Sequence, residues 1–213
     1  MMPTTLKPSK QATEIRQASL VEAALLLAAH CNPSDITTGE LAKAVGITQG
    51  AVFRHFASKE ALWLAVLEWA SDTLMAELQT AGDTTSNKEA PGNPLAALQA
   101  VYIAHINFVI AYPAVPRIVF QELQHAEDTP RKACVRGLMQ RYRQLVAALL
   151  LEAKTQNLLA PDTDLQAAAV LFVGSVQGLV MQSLTSGQLG GIAAQAPSVF
   201  AIYLRGLTLK EAP

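Results

Sequence analysis

Apolar residues recur every three or four positions along most of the chain, and the strict alternation of apolar and polar residues that marks a strand is absent. This spacing places apolar side chains on one face of an α-helix, which has about 3.6 residues per turn. Clusters of Gly, Pro and short polar residues interrupt the pattern and separate about nine predicted helices. We place the first from residue 9 or 13 to residue 30, and the others at 37–46, a very short segment from 48, 58–80, 95–111, 116–125, 130–156, 163–184 and 197–209. The predicted fold class is all-α.

Local signals support several of these boundaries. Thr37 and Glu40 have the spacing of a capping box, in which each side chain accepts from the other residue's backbone N–H. Thr48 and Ser58 are suited to the N-cap positions of the third and fourth helices. Pro197 is expected at the first position of the last helix, where its missing N–H costs nothing. The polar tract over 81–94 is the one predicted flexible joint.

The composition favours a globular protein with a substantial core. Of the 213 residues 51% are hydrophobic and 15% are charged, which argues against intrinsic disorder outside the ends. The net charge of −1 excludes a generic polybasic nucleic-acid binder but permits a local basic surface. Cys31 and Cys134 lie far apart without a CxxC spacing, so we expect reduced, structural thiols.

No targeting or membrane segment is predicted. The N-terminal ten residues contain two Lys and lead into no apolar run of the signal-peptide kind. The longest mostly apolar window, AAAVLFVGSVQGLVM, is too short and too interrupted to span a bilayer. We therefore expect a cytoplasmic protein with no membrane partner.

The stretch TTGELAKAVGITQGAVFRHF predicts two short helices joined by a tight turn at Gly46, the pattern of a helix-turn-helix. Ala42 is a small residue suited to the helix crossing, and Val45, Ile47 and Val52 are suited to its interior. The outward positions of the second helix are small, basic or hydrogen-bonding: Gln49, Gly50, Ala51, Phe53, Arg54 and His55. Such a set suits the major groove of DNA, because small residues permit close approach and Gln bonds base edges.

Two further residues are placed for phosphates on either side of this helix: Thr38 at the start of the preceding helix and Lys59 in the first turn of the following one. An alternative remains open at this point. A short capped helix with a basic C-terminal end also complements its own helix dipole without binding DNA.

The segment ITTGELAKAVGITQGAVFRHFASKEAL closely resembles the DNA-binding domain of the tetracycline-repressor (TetR) family, and the resemblance extends over residues 16–67. It implies an N-terminal helix-turn-helix domain at residues 1–57 and a regulatory and dimerisation domain at 58–213. One departure is Phe53, where the family usually has a Tyr whose hydroxyl touches a phosphate. The DNA-contacting residues that the resemblance implies are Thr38, Thr48, Gln49, Gly50, Ala51, Phe53, Arg54, His55 and Lys59.

The last two predicted helices are apolar on two sides, so each must bury both. On the eighth, one stripe runs through Phe172 and a second stripe contains small residues. Family members dimerise through this pair of helices, and the resemblance implies a homodimer on an inverted-repeat operator in double-stranded DNA. The alternative is a pair of helices buried within one chain. The predicted interface residues are Leu171, Gly174, Gly178, Met181, Tyr203 and Leu207.

The fifth predicted helix is apolar all round and yet contains Tyr102, His105 and Asn107. Embedded polar groups suggest a ligand cavity for a small, largely apolar effector, as in family members that respond to small molecules. Each residue also has a simpler interpretation as a hydrogen-bonded packing residue. The candidate ligand-binding residues are Tyr102, His105, Phe108, Phe120, Met139, Tyr142 and Gln177.

No pattern for catalysis, a metal centre or a cofactor is recognisable. The four His are scattered, and GxSxG, P-loop and dinucleotide fingerprints are absent from the sequence. A ligand-released transcriptional repressor is therefore the predicted function. The alternative is a DNA-binding dimer that acts in chromosome organisation or division control without a small-molecule inducer.

Overall fold

The computed structural model describes residues 8–83, 92–187 and 190–208. Over these residues the chain forms nine α-helices and no strand, which confirms the predicted all-α class. Most of the predicted joint over 81–94 lies outside the described residues. The helices are α1 (Pro8–Ala28), α2 (Thr38–Ala44), α3 (Gln49–Val52), α4 (Lys59–Asp83), α5 (Pro94–Ala111), α6 (Ala114–Leu123), α7 (Pro130–Thr155), α8 (Leu165–Ser186) and α9 (Gly191–Leu207).

Two helices that the sequence analysis started at a proline begin before it. Helix α9 begins at Gly191, so Pro197 lies inside the helix and not at its first position. The helix accepts the loss of one backbone hydrogen bond there, while Ile192 and Ala196 before the proline are buried. Helix α6 begins at Ala114, which places Pro116 in the first turn, where no backbone N–H has a partner within the helix.

The predicted helix caps are present. Thr37 and Glu40 form the capping box, with Glu40 N–H bonded to Thr37 Oγ1 at 3.2 Å and Thr37 N–H bonded to the Glu40 carboxylate at 2.7 Å. The backbone N–H of Thr37 is the main cause that lowers the pKa of Glu40. Thr48 and Ser58 accept from Ala51 N–H and Ala61 N–H, as expected of N-caps.

The described part of the chain divides into two compact units. The predicted DNA-binding domain at 1–57 and regulatory domain at 58–213 remain a prediction. The first unit consists of the described parts of Met1–Ala70 and Ala114–Val135, and the second of those of Ser71–Pro113 and Arg136–Pro213. Helix α6 belongs with the N-terminal helices because it packs on α1. A contact between segments so distant in sequence leaves no signal in local periodicity.

Each unit has its own apolar core. In the first, α1 packs on α2 and α6, and Leu20, Leu41 and Leu62 are fully buried. In the second, α5, α8 and α9 pack on one another around fully buried Tyr102 and Phe172. Burying such side chains stabilises a fold by about 1.5–3 kcal/mol each.

Helices α5 and α8 are long and apolar enough to cross a membrane by length and composition alone, contrary to the expectation from the sequence. Both take part in the packing of the second unit. Within the most apolar 18-residue window of α5, 50% of the residues are buried. Core packing therefore accounts for much of the apolar character of this helix.

Candidate nucleic-acid interface

The turn between α2 and α3 is fixed by Gly46, whose φ of +68° lies in the left-handed region. Gly46 N–H bonds to Lys43 O at 3.2 Å, and Ile47 N–H bonds to Ala42 O at 2.9 Å. This pair of hydrogen bonds is the Schellman arrangement that ends a helix at a glycine. It turns the chain sharply so that α3 lies against α2.

Side chains of α1 hold both ends of this turn region through backbone carbonyl groups. Arg16 Nη1 donates to Val45 O at 3.3 Å, after the end of α2. Gln17 Nε2 donates to His55 O at 2.9 Å, after the end of α3. Together with buried Val52, which anchors α3 to the core, these contacts fix α2 and α3 on α1. The sequence analysis did not find the roles of Arg16 and Gln17, because a long-range contact to a carbonyl has no sequence motif.

The nine predicted DNA-contacting residues lie on α2, on α3 and its flanks, and at the start of α4. None of them is fully buried, although α3 itself is anchored by Val52. Those classed as exposed are Thr48, Gln49, Gly50, Phe53 and Arg54, and those partly exposed are Thr38, Ala51, His55 and Lys59. Phe53 is 47% exposed, so its ring is accessible at this surface.

Two of these side chains make hydrogen bonds to other parts of the unit, and a third has a buried polar atom. Gln49 Nε2 donates to Thr38 Oγ1 at 2.8 Å and so links α3 to α2. Lys59 Nζ donates to Ser34 O at 2.8 Å at the other end of the surface. His55 Nδ1 is buried and has no hydrogen-bond partner among the described residues.

A cavity of about 220 Å³ next to Lys59 belongs to the same unit. It is also lined by Glu122, which is only 4% exposed and pairs with Arg131 Nε at 3.1 Å. His125 Nε2 lies 3.9 Å from the same carboxylate oxygen. This buried ion pair ties α6 to the start of α7.

Three of the candidate ligand-binding residues, Tyr102, His105 and Tyr142, are packed into the aromatic core of the second unit. His105 Nδ1 lies 3.0 Å from the Tyr142 hydroxyl, and both side chains are buried. Burial lowers the pKa of His105 to about 4, so the ring is neutral at pH 7. Burial raises the pKa of Tyr142. The two residues form a neutral hydrogen-bonded pair, as the simpler interpretation of His105 predicts.

Tyr102 is the neighbour of this pair in the core. Its ring is 5.3 Å from that of Phe172 and 5.2 Å from that of Phe200, centroid to centroid. Its hydroxyl is buried near the Ser175 hydroxyl, which donates to Phe172 O at 2.8 Å and keeps lone pairs that can accept. Burial raises the pKa of Tyr102.

The remaining candidate ligand residues have other surroundings. Phe108 is buried against Tyr112, with ring centroids 5.0 Å apart. Gln177 is exposed, and its Nε2 lies 3.6 Å from Met139 Sδ. Phe120 belongs to the first unit. An open groove of about 600 Å³, lined among others by Arg143, was not found from the sequence.

The candidate interface residues on α8 face solvent, whereas those on α9 do not. Leu171 is 57% and Met181 is 47% exposed. A Cβ added at Gly174 or Gly178 would meet no atom within 4 Å. In contrast, Tyr203 is 4% exposed and donates from its hydroxyl to Ala168 O at 3.1 Å.

Leu207 is also buried, at 8% exposure, so α9 is turned relative to the expectation. The exposed apolar side chain of α9 is Ile202, which is 63% exposed. Apolar residues spaced three and four apart define the faces of a helix, but the spacing does not show which apolar face packs on the core.

Comparison with known proteins identifies this arrangement. Residues 20–66 match the profile of bacterial regulatory proteins of the tetR family. These residues form the N-terminal domain of the TetR family. The matched segment contains α2, the turn at Gly46 and α3.

Three relatives show the extent of the similarity. The nucleoid occlusion factor SlmA of Actinobacillus pleuropneumoniae is 30% identical over 136 residues, which is 63% of this chain and 64% of SlmA. The chain thus matches somewhat less than two thirds of the length of this relative. The HTH-type transcriptional regulator AcrR of Shigella flexneri is 26% identical over 209 residues, which is 93% of this chain and 91% of AcrR.

The third relative is a solved structure, the ketosteroid transcriptional regulator KstR2 of Mycobacterium tuberculosis. It matches with a TM-score of 0.73 and 24% sequence identity, over 92% of this chain and 96% of KstR2. This similarity shows that the TetR-family fold extends over nearly the whole chain.

Proposed function

We propose that this protein is a homodimeric transcriptional repressor that binds an inverted-repeat operator and is released by a small-molecule effector. The observation that carries the proposal is the exposed surface of α2 and α3, formed by the predicted DNA-contacting residues and called the reading surface below. Small and hydrogen-bonding side chains are exposed there on a helix that is anchored through Val52 and through the backbone carbonyl groups of Val45 and His55. A rigid element with an exposed hydrogen-bonding edge is what base recognition in the major groove requires.

The roles of the surface residues follow from their chemistry. Thr38, Thr48, Arg54 and Lys59 contact phosphates, and such contacts fix the register of the protein on the duplex. Gln49 reads a base edge, and Gly50 and Ala51 permit the backbone of α3 to approach the groove. Phe53 has no hydroxyl, so its exposed ring packs on the sugar-phosphate surface. His55 donates from Nε2 to the DNA backbone, because its other ring nitrogen, Nδ1, is buried.

The apolar surface of α8 and α9 supports a dimer. Leu171, Met181 and Ile202 are all about half exposed or more, and the open space at Gly174 and Gly178 permits close approach of a second helix. A second copy that covers these apolar side chains would remove them from water. Two copies joined through this surface present two reading surfaces related by a two-fold axis, which is the symmetry of an inverted repeat.

The aromatic core of the second unit supports a largely apolar effector. The buried hydroxyl of Tyr102 and the neutral His105–Tyr142 pair are hydrogen-bonding groups within an apolar core. Such a combination is typical of sites that orient an apolar ligand by a few polar contacts. The ketosteroid in the name of KstR2 agrees with an effector of this class. The protein acts in the cytoplasm as a regulator and not as an enzyme.

A second function has support from a specific observation. The similarity to SlmA, a nucleoid occlusion factor, favours a DNA-binding dimer that acts in chromosome organisation or division control. The two functions differ in the number of chromosomal sites. A repressor occupies a few promoters, whereas a chromosome-organising protein occupies many sites dispersed over the chromosome.

The test is selection of binding sites from a random duplex library with the purified protein at near-physiological salt. Enrichment of an inverted repeat is expected, since two related reading surfaces bind two half-sites about one helical turn apart. Absence of any enriched sequence contradicts sequence-specific regulation. The enriched sequence then shows, by its positions in the genome, which of the two functions applies.

A further inference from the structure

The two side chains that bridge α2 and α3 occupy different kinds of position on the proposed DNA surface. Gln49 is exposed at the first position of α3, where a base is within reach, and Thr38 is at the first position of α2, where a phosphate is proposed to lie. The Gln49 Nε2 group donates to Thr38 Oγ1 at 2.8 Å. A base-reading group and a phosphate-binding group are thus joined directly.

The direction of this hydrogen bond follows from what each group can do. A Thr hydroxyl has one hydrogen to donate and lone pairs that accept, whereas a phosphate oxygen only accepts. When Thr38 donates to a phosphate, its Oγ1 can only accept from Gln49. The Gln49 amide must then turn Nε2 toward Thr38, as it does here. This leaves Oε1 and the second N–H of Nε2 for the base.

We propose that Thr38 and Gln49 form a hydrogen-bond relay that makes Gln49 specific for adenine. In the major groove adenine offers the N6–H donor beside the N7 acceptor, and the free Oε1 and N–H of Gln49 match both. Guanine offers two acceptors, so its O6 would face Oε1, and thymine offers an acceptor and a methyl group. Cytosine offers only the N4–H donor.

The relay also gives the phosphate contact a part in reading sequence. Without it, the amide of an exposed Gln can rotate by half a turn and exchange its donor and acceptor. With Thr38 bound to phosphate, that rotation places Oε1 against the Thr38 oxygen and loses a hydrogen bond. Thr38 is in these terms a positioning residue, and Gln49 is the residue that touches the base. This inference rests on the proposed function, because it needs an operator.

The experiment measures the dissociation constant for the selected operator and for duplexes in which every base pair of the half-site is changed in turn. The unmodified protein is compared with Gln49→Ala, Thr38→Val, Thr38→Ser and the double variant Thr38→Val/Gln49→Ala. Valine keeps the shape of threonine without the hydroxyl, whereas serine keeps the hydroxyl. Lys59→Ala is the control for a phosphate contact outside the relay.

We expect one adenine position in each half-site whose preference depends on Gln49, with a discrimination of about 5- to 150-fold. Thr38→Val should remove the preference at that same position, and the double variant should lose no more of it than either single variant. Thr38→Ser should retain the preference. Lys59→Ala should weaken binding to all duplexes alike and reduce the salt slope by about one ion.

Two results would overturn the relay while leaving the repressor function intact. One is a Thr38→Val protein that binds more weakly but keeps its full adenine preference. The other is a Gln49-dependent position that prefers guanine or thymine. A protein for which no duplex is preferred at any position would instead contradict the proposed function, and the relay with it. Circular dichroism of each variant confirms that the helices are retained.

Discussion

The buried His105 determines how the stability of the second unit responds to pH. Its ring is 9% exposed and bonded to the Tyr142 hydroxyl, and burial lowers its pKa from the usual 6.5 to about 4. Between these two values the unfolded chain binds a proton that the folded chain does not. The free energy of unfolding therefore rises with pH in this range.

We predict that the stability of the protein decreases as the pH falls from about 6.5 toward 4, by an amount on the order of 3 kcal/mol from this group alone. Urea denaturation at pH 7.0 and about pH 5 measures it. His105→Gln cannot take up the proton and should show a smaller decrease, whereas His30→Gln, at an exposed position, should behave like the unmodified protein. An equal decrease in all three proteins would contradict the role of His105.

At this scale the sequence indicated the kinds of residue but not their partners. Gln49, Thr38 and His105 were all recognised as candidates. The Gln49–Thr38 and His105–Tyr142 hydrogen bonds were not foreseen, because each joins two helices whose approach is set by packing. The same reason applies to Tyr203, whose burial depends on which face of α9 the core takes.

Among the helical elements, the α2–turn–α3 segment contains two glycines with opposite requirements. Gly46 has a φ of +68°, in the region that L-residues with a side chain avoid. Gly50 lies within α3, and a Cβ there would meet no atom within 4 Å. The fold requires a glycine at position 46 but leaves room for a side chain at position 50, where the proposed function requires close approach to DNA.

We therefore predict that Gly46→Ala lowers the free energy of unfolding by about 1–2 kcal/mol. Gly50→Ala, its matched control, should leave stability unchanged or raise it by about 0.5–1 kcal/mol. The same Gly50 variant should bind the operator more weakly, because its methyl group enters the groove. Thermal unfolding and operator titration together check the pair. Equal loss of stability in both variants would contradict the assignment.

The helices themselves were largely predictable. Most starts and ends fall within a few residues of the expected ones, because caps and breakers act locally: Thr37, Thr48, Ser58 and Gly46 all mark ends as predicted. The start of α9 was placed six residues too late. Burial of Ile192 and Ala196 favours extending the helix backward through Pro197, and that tertiary contribution outweighs the cost of the proline.

For the whole molecule, the exposed apolar side chains of α8 and α9 predict that two copies form a dimer. We predict that Leu171→Glu, which places a charge at a position 57% exposed in the single chain, converts the dimer into a monomer. The mass measured by light scattering should fall from about twice to once the 22.7 kDa of the chain, and operator affinity should fall with it, because only one half-site is bound at a time.

The matched control is Leu26→Glu, at a position on α1 that is 65% exposed. It removes the same side chain from a surface outside α8 and α9 and should leave the dimer intact. A Leu171→Glu protein with the mass of a dimer would contradict this interface. A dimer lost in both variants would point to a general effect of the added charge.

The contacts from α1 to the reading helices end on backbone carbonyl groups, of Val45 and His55. A carbonyl group is the same whatever side chain its residue has, so these contacts survive when the residues of the surface are exchanged. The hydrogen bonds that hold α2 and α3 in place are therefore independent of the exposed side chains. Recognition residues between Thr48 and His55 can be replaced without losing these hydrogen bonds. That property makes the domain a practical starting point for designing regulators of chosen operators.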